Sequence, residues 1–204
     1  MSDSSLSKRR LTICVVGSGG VGKSSITLRY LSDQFPEFYD PTVEESYITK
    51  VEYGANMHDV EIIDTAGQEE FMSFRDSSMA HGDAFLALCA INSYSSFVEL
   101  KVLREKVIRE HDGDTDVPMV IVANKRDLEN CRQVSVDDLV AYCNQINCPF
   151  METSAKTRLN VCESFRLLLD RVNLLKQKKF YQSIIPEESE DYIPDHTEKK
   201  CVIS

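Results

Sequence analysis

The sequence predicts a doubly wound α/β fold, with a mixed six-stranded sheet that is mostly parallel, carries one antiparallel strand and has helices on both faces. Three observations predict it. Short apolar runs alternate with amphipathic helix-length segments along the chain, the pattern of strands linked by crossover helices. Polar or glycine-rich turns follow two of these runs, Leu11 to Val16 and Pro118 to Ala123, and so lie at the carboxyl edge of a parallel sheet. One further pair of strand-like segments is separated by a short turn, which makes that pair antiparallel.

The elements follow in chain order. Leu11-Thr-Ile-Cys-Val-Val16 is the first strand, and the stretch after Lys23-Ser24 is compatible with a helix. Lys50-Val-Glu-Tyr-Gly54 and Val60-Glu-Ile-Ile63 are the antiparallel strands, around a turn containing Gly54 and Asn56. A helix starts at Ser96, where Ser-Phe-Val-Glu99 fits a capping box, and carries Phe97, Leu100, Leu103 and Val107 inward. Pro118 to Ala123 is another strand. A helix near Ser135 places Val136, Leu139, Val140 and Cys143 on one face, and the last, near Asn160, repeats Val161, Phe165, Leu168, Leu169 and Val172. These stripes are core positions. A length of 204 residues with 42% hydrophobic content suits one domain with a sizeable core. Its expected span is 9–179, between a flexible N-terminus, 1–8, and a flexible tail, 180–204.

The turn after the first strand reads Gly17-Ser-Gly-Gly-Val-Gly-Lys-Ser24, with the spacing G-x-x-x-x-G-K-[ST] between strand and helix. Phosphate oxygens need many donors at close range. Gly17, Gly19, Gly20 and Gly22 let the backbone approach and turn its N–H groups inward, and the helix N-terminus adds its dipole. Lys23 reaches β and γ phosphates as a point charge, and Ser24 offers a hydroxyl to Mg²⁺. The turn after the later strand reads Asn124-Lys-Arg-Asp127. A carboxylate accepts and cannot donate, so Asp127 suits the N1–H and 2-amino donors of guanine and not the edge of adenine. The two turns together name GTP. Between them, Asp64-Thr-Ala-Gly-Gln68 follows a strand. There Asp64 is placed to hold Mg²⁺ through water, Gly67 to offer an N–H to the γ phosphate, and Gln68 to orient an attacking water.

With Tyr39-Asp-Pro-Thr-Val-Glu-Glu-Ser-Tyr47, Glu152-Thr-Ser-Ala-Lys156 and Cys201-Val-Ile-Ser204, these motifs make residues 9 to 179 resemble the Ras family of small GTPases, in particular its Ras/Rap branch. The resemblance implies the P-loop fold of small GTPases and a regulated GTP/GDP switch. It implies Thr42 as a ligand of Mg²⁺ and γ phosphate, and Phe35 stacked on guanine. Ser154, Ala155 and Lys156 would complete the base pocket, and Ala66 and Gly67 would lie at the γ phosphate. Ser18, Val21, Ser25, Tyr39 and Pro41 join the nucleotide contacts, with Asn124 and Lys125. Residues 42–47 would face effectors. Ser18, Val43, Glu45, Phe71 and Arg126 depart from the commonest family pattern, and none removes a chemical role.

Net charge is −10, which argues against a nucleic-acid partner. Seven cysteines without a secretory signal or paired C-x-x-C motifs point to reduced thiols in the cytosol. Cys201-Val-Ile-Ser204 has the C-a-a-X form read by a prenyltransferase, with farnesyl expected on Cys201. One lipid chain binds membranes reversibly. Between Pro186 and Lys200, six acidic residues face two lysines, so the tail adds no second anchor, and the expected location is a cytoplasmic membrane face in exchange with cytosol. The mechanism expected is in-line attack of water on the γ phosphorus, with Mg²⁺, Lys23 and loop amides stabilising the spread charge. Phe35 to Glu45 contains no Arg, so intrinsic hydrolysis is slow and a GTPase-activating protein and an exchange factor are implied partners of a monomer. A nucleotide-loaded effector-docking scaffold with negligible hydrolysis is the alternative.

Overall fold

The structure is a computed structural model and describes residues 10–36, 44–53, 56–65 and 72–184. Six strands, β1 (Leu11–Gly17), β2 (Glu44–Tyr53), β3 (Asn56–Thr65), β4 (Ala84–Ala90), β5 (Met119–Asn124) and β6 (Phe150–Glu152), form one sheet in the order β2-β3-β1-β4-β5-β6. Only the β2–β3 pair is antiparallel. This is the mixed sheet expected from the sequence.

Alternation along the strands divides the core in two. Ile13 and Val15 of β1 point to one face with Leu86, Leu88, Val120 and Val122. They pack there on Ile26 of α1 (Lys23–Ser32) and on Val161, Phe165, Leu168, Leu169 and Val172 of α5 (Val161–Ile184). Cys14 and Val16 point the other way, with Phe85, Ala87, Cys89, Ile121 and Ala123. That layer meets Met79 of α2 (Met72–His81), Phe97, Leu100, Leu103 and Val107 of α3 (Tyr94–Glu110), and Leu139 and Cys143 of α4 (Val136–Gln145). All residues of β4 and β5 are buried, as expected of strands covered on both faces. Tyr30 of α1 stacks on Phe165 of α5 with ring centres 3.9 Å apart; burying one such aromatic contributes about 1.5–3 kcal/mol.

Three details differ from the sequence expectation. Strands β2 and β3 are longer than the apolar runs that revealed them, and Asn56 pairs with Tyr53 inside the ladder instead of lying in the turn. Sheet-edge strand β2 is largely exposed, so a search for apolar runs sees only part of it. Helix α3 is capped by Ser93, whose Oγ accepts from Ser96 N, three residues before the expected start. Ser96 is buried in the first turn and its hydroxyl donates to Ser93 O at 2.7 Å. On α4, Leu139 and Cys143 are buried but Val136 and Val140 are exposed, because this helix covers β6 at the open edge of the sheet. The boundary expected at residue 179 falls inside α5, which runs on to Ile184. Among the described residues, no helix is long and apolar enough to cross a membrane.

Candidate functional site

Those expected site residues that fall among the described residues gather at the carboxyl edge of β1, β3 and β5. Gly17 closes β1 beside Leu88 of β4, where a Cβ would stand 2.5 Å from Leu88 O. Gly22 takes a left-handed conformation at φ 97° as the N-cap of α1. No side chain caps that helix, and its first turn holds no acidic residue, so its N-terminal N–H groups and dipole suit an anion. Ser18 and Val21 are buried, Gly19 and Gly20 exposed, and Ser24 and Ser25 half-buried on the first turn of α1. Lys23 is buried, with Nζ donating to Ser18 O at 3.0 Å.

Asn124, at the end of β5, is the link between the two turns. Its Nδ2 donates to Val21 O at 2.9 Å, while its Oδ1 accepts from Thr153 Oγ1 at 3.1 Å and from Ala155 N at 3.3 Å. One buried amide thus ties the glycine turn to the loop carrying Ser154, Ala155 and Lys156. Gly22 is part of this fit, since a Cβ there would lie 2.5 Å from Asn124 Nδ2. Lys125 bends the chain at φ 66°, and burial pushes its ammonium pKa down against the opposing Asp127 charge. Asp127 is held by Ser154, whose Oγ donates to Oδ1 at 2.6 Å. That hydroxyl in turn accepts from Thr157 N at 3.1 Å. Ser154 and Ala155 are buried and Lys156 is exposed.

Arg29 was not singled out from the sequence, where nothing distinguishes it from an ordinary helix-surface arginine. Its Nε donates to Ala155 O at 2.8 Å, and its guanidinium carbon lies 5.7 Å from the ring centre of Phe35. It therefore braces the base loop against α1. Phe35 is 38% exposed, an open ring face of the kind a flat base covers.

Asp64 lies in β3 opposite Glu45 and beside Val15 of β1. It is 1% exposed, and neither carboxylate oxygen has a hydrogen-bond partner. Burial raises its pKa to about 6, with the Ser24 hydroxyl and the Lys23 charge opposing the rise and Glu45 adding to it. A buried carboxylate with no well-formed hydrogen bond, beside a serine hydroxyl, is a donor set that fits a hard divalent cation such as Mg²⁺. Tyr39, Pro41, Thr42, Ala66, Gly67, Gln68 and Cys201 lie outside the described residues, as does Val43. Of the expected effector stretch, Glu44, Glu45 and Ser46 are exposed at the start of β2 and Tyr47 is half-buried. A cavity of about 510 Å³ opens elsewhere, lined among others by Arg10, Met57, Asp83, Pro118 and Leu175. None of the motif residues reaches it.

The Asp64 geometry sets a pH-dependent expectation for protein stripped of nucleotide and metal. A carboxyl with a folded pKa near 6 against about 3.9 unfolded destabilises the fold above pH 6, and that penalty is relieved as pH falls from 6 to 4. Asp64→Asn should raise stability by about 2 kcal/mol at pH 7.5, or about 4–8 °C in thermal midpoint. The gain should vanish near pH 4. Calorimetry in chelator at both pH values checks this, and a variant no more stable than wild type at pH 7.5 would rule out the burial account.

Similarity to known proteins agrees with the geometry. Residues 12–174 match the Ras family. The chain is 44% identical over 161 residues to "Ras-like protein 1" of Saccharomyces cerevisiae, an alignment covering 79% of this chain and 52% of that relative. It is 43% identical over 153 residues to "Ras-like protein rasB" of Dictyostelium discoideum, covering 75% of this chain and 77% of the relative. The chain spans about half the length of the yeast relative.

Proposed function

The chain belongs to the Ras family, whose members are small GTPases, and on that premise we propose that it is a signalling switch that binds GTP and GDP and hydrolyses GTP to GDP and phosphate. The observation that carries this reading is the Asn124 clamp, which builds the phosphate turn and the base loop as one unit. A ligand with phosphates at one end and a base at the other fits such a unit.

In this reading Lys23 and the N–H groups of Gly17 to Ser24 hold the phosphates. Asp127, with Oδ1 fixed by Ser154, presents its remaining acceptor capacity to the guanine donors. Phe35 covers the face of the base, supported by Arg29. Ser24, Asp64 and Thr42 would hold Mg²⁺, which when bound neutralises charge on the β and γ phosphates. Gln68 orients the attacking water, and Gly67 and Thr42 sense the γ phosphate. Loss of that phosphate removes the contacts of Thr42 and Gly67 and so changes the effector face at residues 42–47. The regulators are a GTPase-activating protein and an exchange factor. A prenyl group placed on Cys201 by a prenyltransferase would hold the monomer reversibly at a cytoplasmic membrane face.

Phosphate release from γ-labelled GTP tests the hydrolytic reading. Release should be slow for the protein alone and rise by about three to five orders of magnitude with an activating domain that supplies an arginine, as it does in Ras-type GTPases. Stable GTP binding without release under either condition would make the protein a nucleotide-loaded scaffold. Failure to bind GTP would overturn the proposal.

A further inference from the structure

Arg126 lies between Lys125 and Asp127, yet its side chain is committed to two carboxylates. Its Nε stands 2.9 Å from Glu152, and its Nη1 2.5 Å from Glu129. Arg132 reaches the same two carboxylates, with Nη1 2.7 Å from Glu152 and Nη2 2.8 Å from Glu129. The four side chains form a closed ring of two guanidiniums and two carboxylates. Its members come from both halves of the base pocket: Arg126, Glu129 and Arg132 from the 3-10 turn Arg126–Cys131 and its C-cap, and Glu152 from the end of β6, two residues before Ser154.

The backbone repeats the link, since Arg126 N donates to Thr153 O at 2.9 Å. Side chain and main chain of one residue thus fix the separation of the two loops. An isolated surface ion pair contributes little, because ordering two long side chains costs nearly what the attraction returns. Here each carboxylate serves two cations, so the ordering cost is shared, and Arg132 and Glu152 are only 15% and 19% exposed.

We infer that this ring is a positioning device that holds Asp127 and Ser154 in register and so sets how slowly bound guanine nucleotide leaves. Arg126 is its positioning residue. The inference rests on the guanine-nucleotide reading above. It goes beyond that reading because it assigns the ring's side chains no contact with phosphate or base.

The test uses the full chain loaded with fluorescent GDP or with fluorescent IDP, whose hypoxanthine lacks the 2-amino donor. Dissociation into excess unlabelled nucleotide is followed for wild type, Arg126→Met, Glu152→Gln and the double variant, with a thermal midpoint for each. Each single change should speed GDP release about threefold to tenfold, and the double should be no faster than the faster single, since both break the same ring. IDP release should accelerate less, because IDP depends less on the placement of Asp127. Arg126→Lys, which keeps the charge and loses the fork, should fall between wild type and Arg126→Met. Single variants that release GDP at the wild-type rate would overturn the inference, as would equal acceleration of GDP and IDP with a lowered midpoint, the mark of general loosening. Wild-type protein that fails to hold GDP would sink the functional reading instead.

Discussion

GTP affinity falls by about four orders of magnitude in Asp127→Asn, while affinity for XTP rises above it. The expectation follows from donor and acceptor count. The Asp127 carboxylate accepts only, and guanine offers it two adjacent donors, N1–H and the 2-amino group. An amide replaces one acceptor by a donor, which then faces a donor of the base. A site built to pair a polar group rejects the mismatched partner by about 10⁴ to 10⁵. Xanthine carries an oxygen where guanine carries the 2-amino group, so its edge reads donor and acceptor, which the amide matches. Ser154 Oγ, 2.6 Å from Oδ1, can still donate to the amide oxygen, so the loop is not dismantled. Competitive displacement of a fluorescent nucleotide by GTP and by XTP measures both affinities. Retained GTP affinity within about tenfold would remove Asp127 from base recognition, and loss of both nucleotides would mean that the loop had collapsed.

How much of this was legible in the sequence depended on how local the cause was. The phosphate turn was readable because its glycines, Lys23 and Ser24 fall within eight consecutive residues, although the atoms that crowd Gly17 and Gly22, Leu88 O and Asn124 Nδ2, come from across the fold. The buried strands were readable because both faces are apolar. Strand β2 was read short because an exposed edge strand has no such run, and α3 was started at Ser96 because two serines three residues apart both look like caps. The ladder and the bare side of α4 are decided by what lies across the fold. Arg29 was invisible for the same reason, since its partners Ala155 and Lys156 are 126 and 127 residues away. Asn124 was assigned to the nucleotide site from its motif, but its bonds to Val21, Thr153 and Ala155 become apparent only when β5 is set between the two loops.

That position makes Asn124→Ala the most disruptive conservative-size truncation in the site. The side chain is 1% exposed and makes three hydrogen bonds. Alanine removes all of them and leaves Val21 O, Thr153 Oγ1 and Ala155 N without this partner in a dry interior, at about 1–3 kcal/mol for each group left unpaired. Relaxation and entering water recover part of that, so a loss of about 3–5 kcal/mol is expected, or about 10 °C in thermal midpoint. Nucleotide affinity should fall by about 10³, because the phosphate turn and the base loop no longer hold each other in place and the ligand must order both. The stabilisation conferred by a fixed excess of GDP should shrink accordingly. Asn124→Asp separates the two ends of the clamp. It keeps an acceptor for Thr153 and Ala155 but sets a second acceptor against Val21 O, so it should damage the phosphate turn while sparing the base loop. Midpoints of wild type and both variants, with and without GDP, read all of these effects. An Asn124→Ala protein with wild-type midpoint and undiminished GDP stabilisation would show that the two turns are held in register by something other than Asn124.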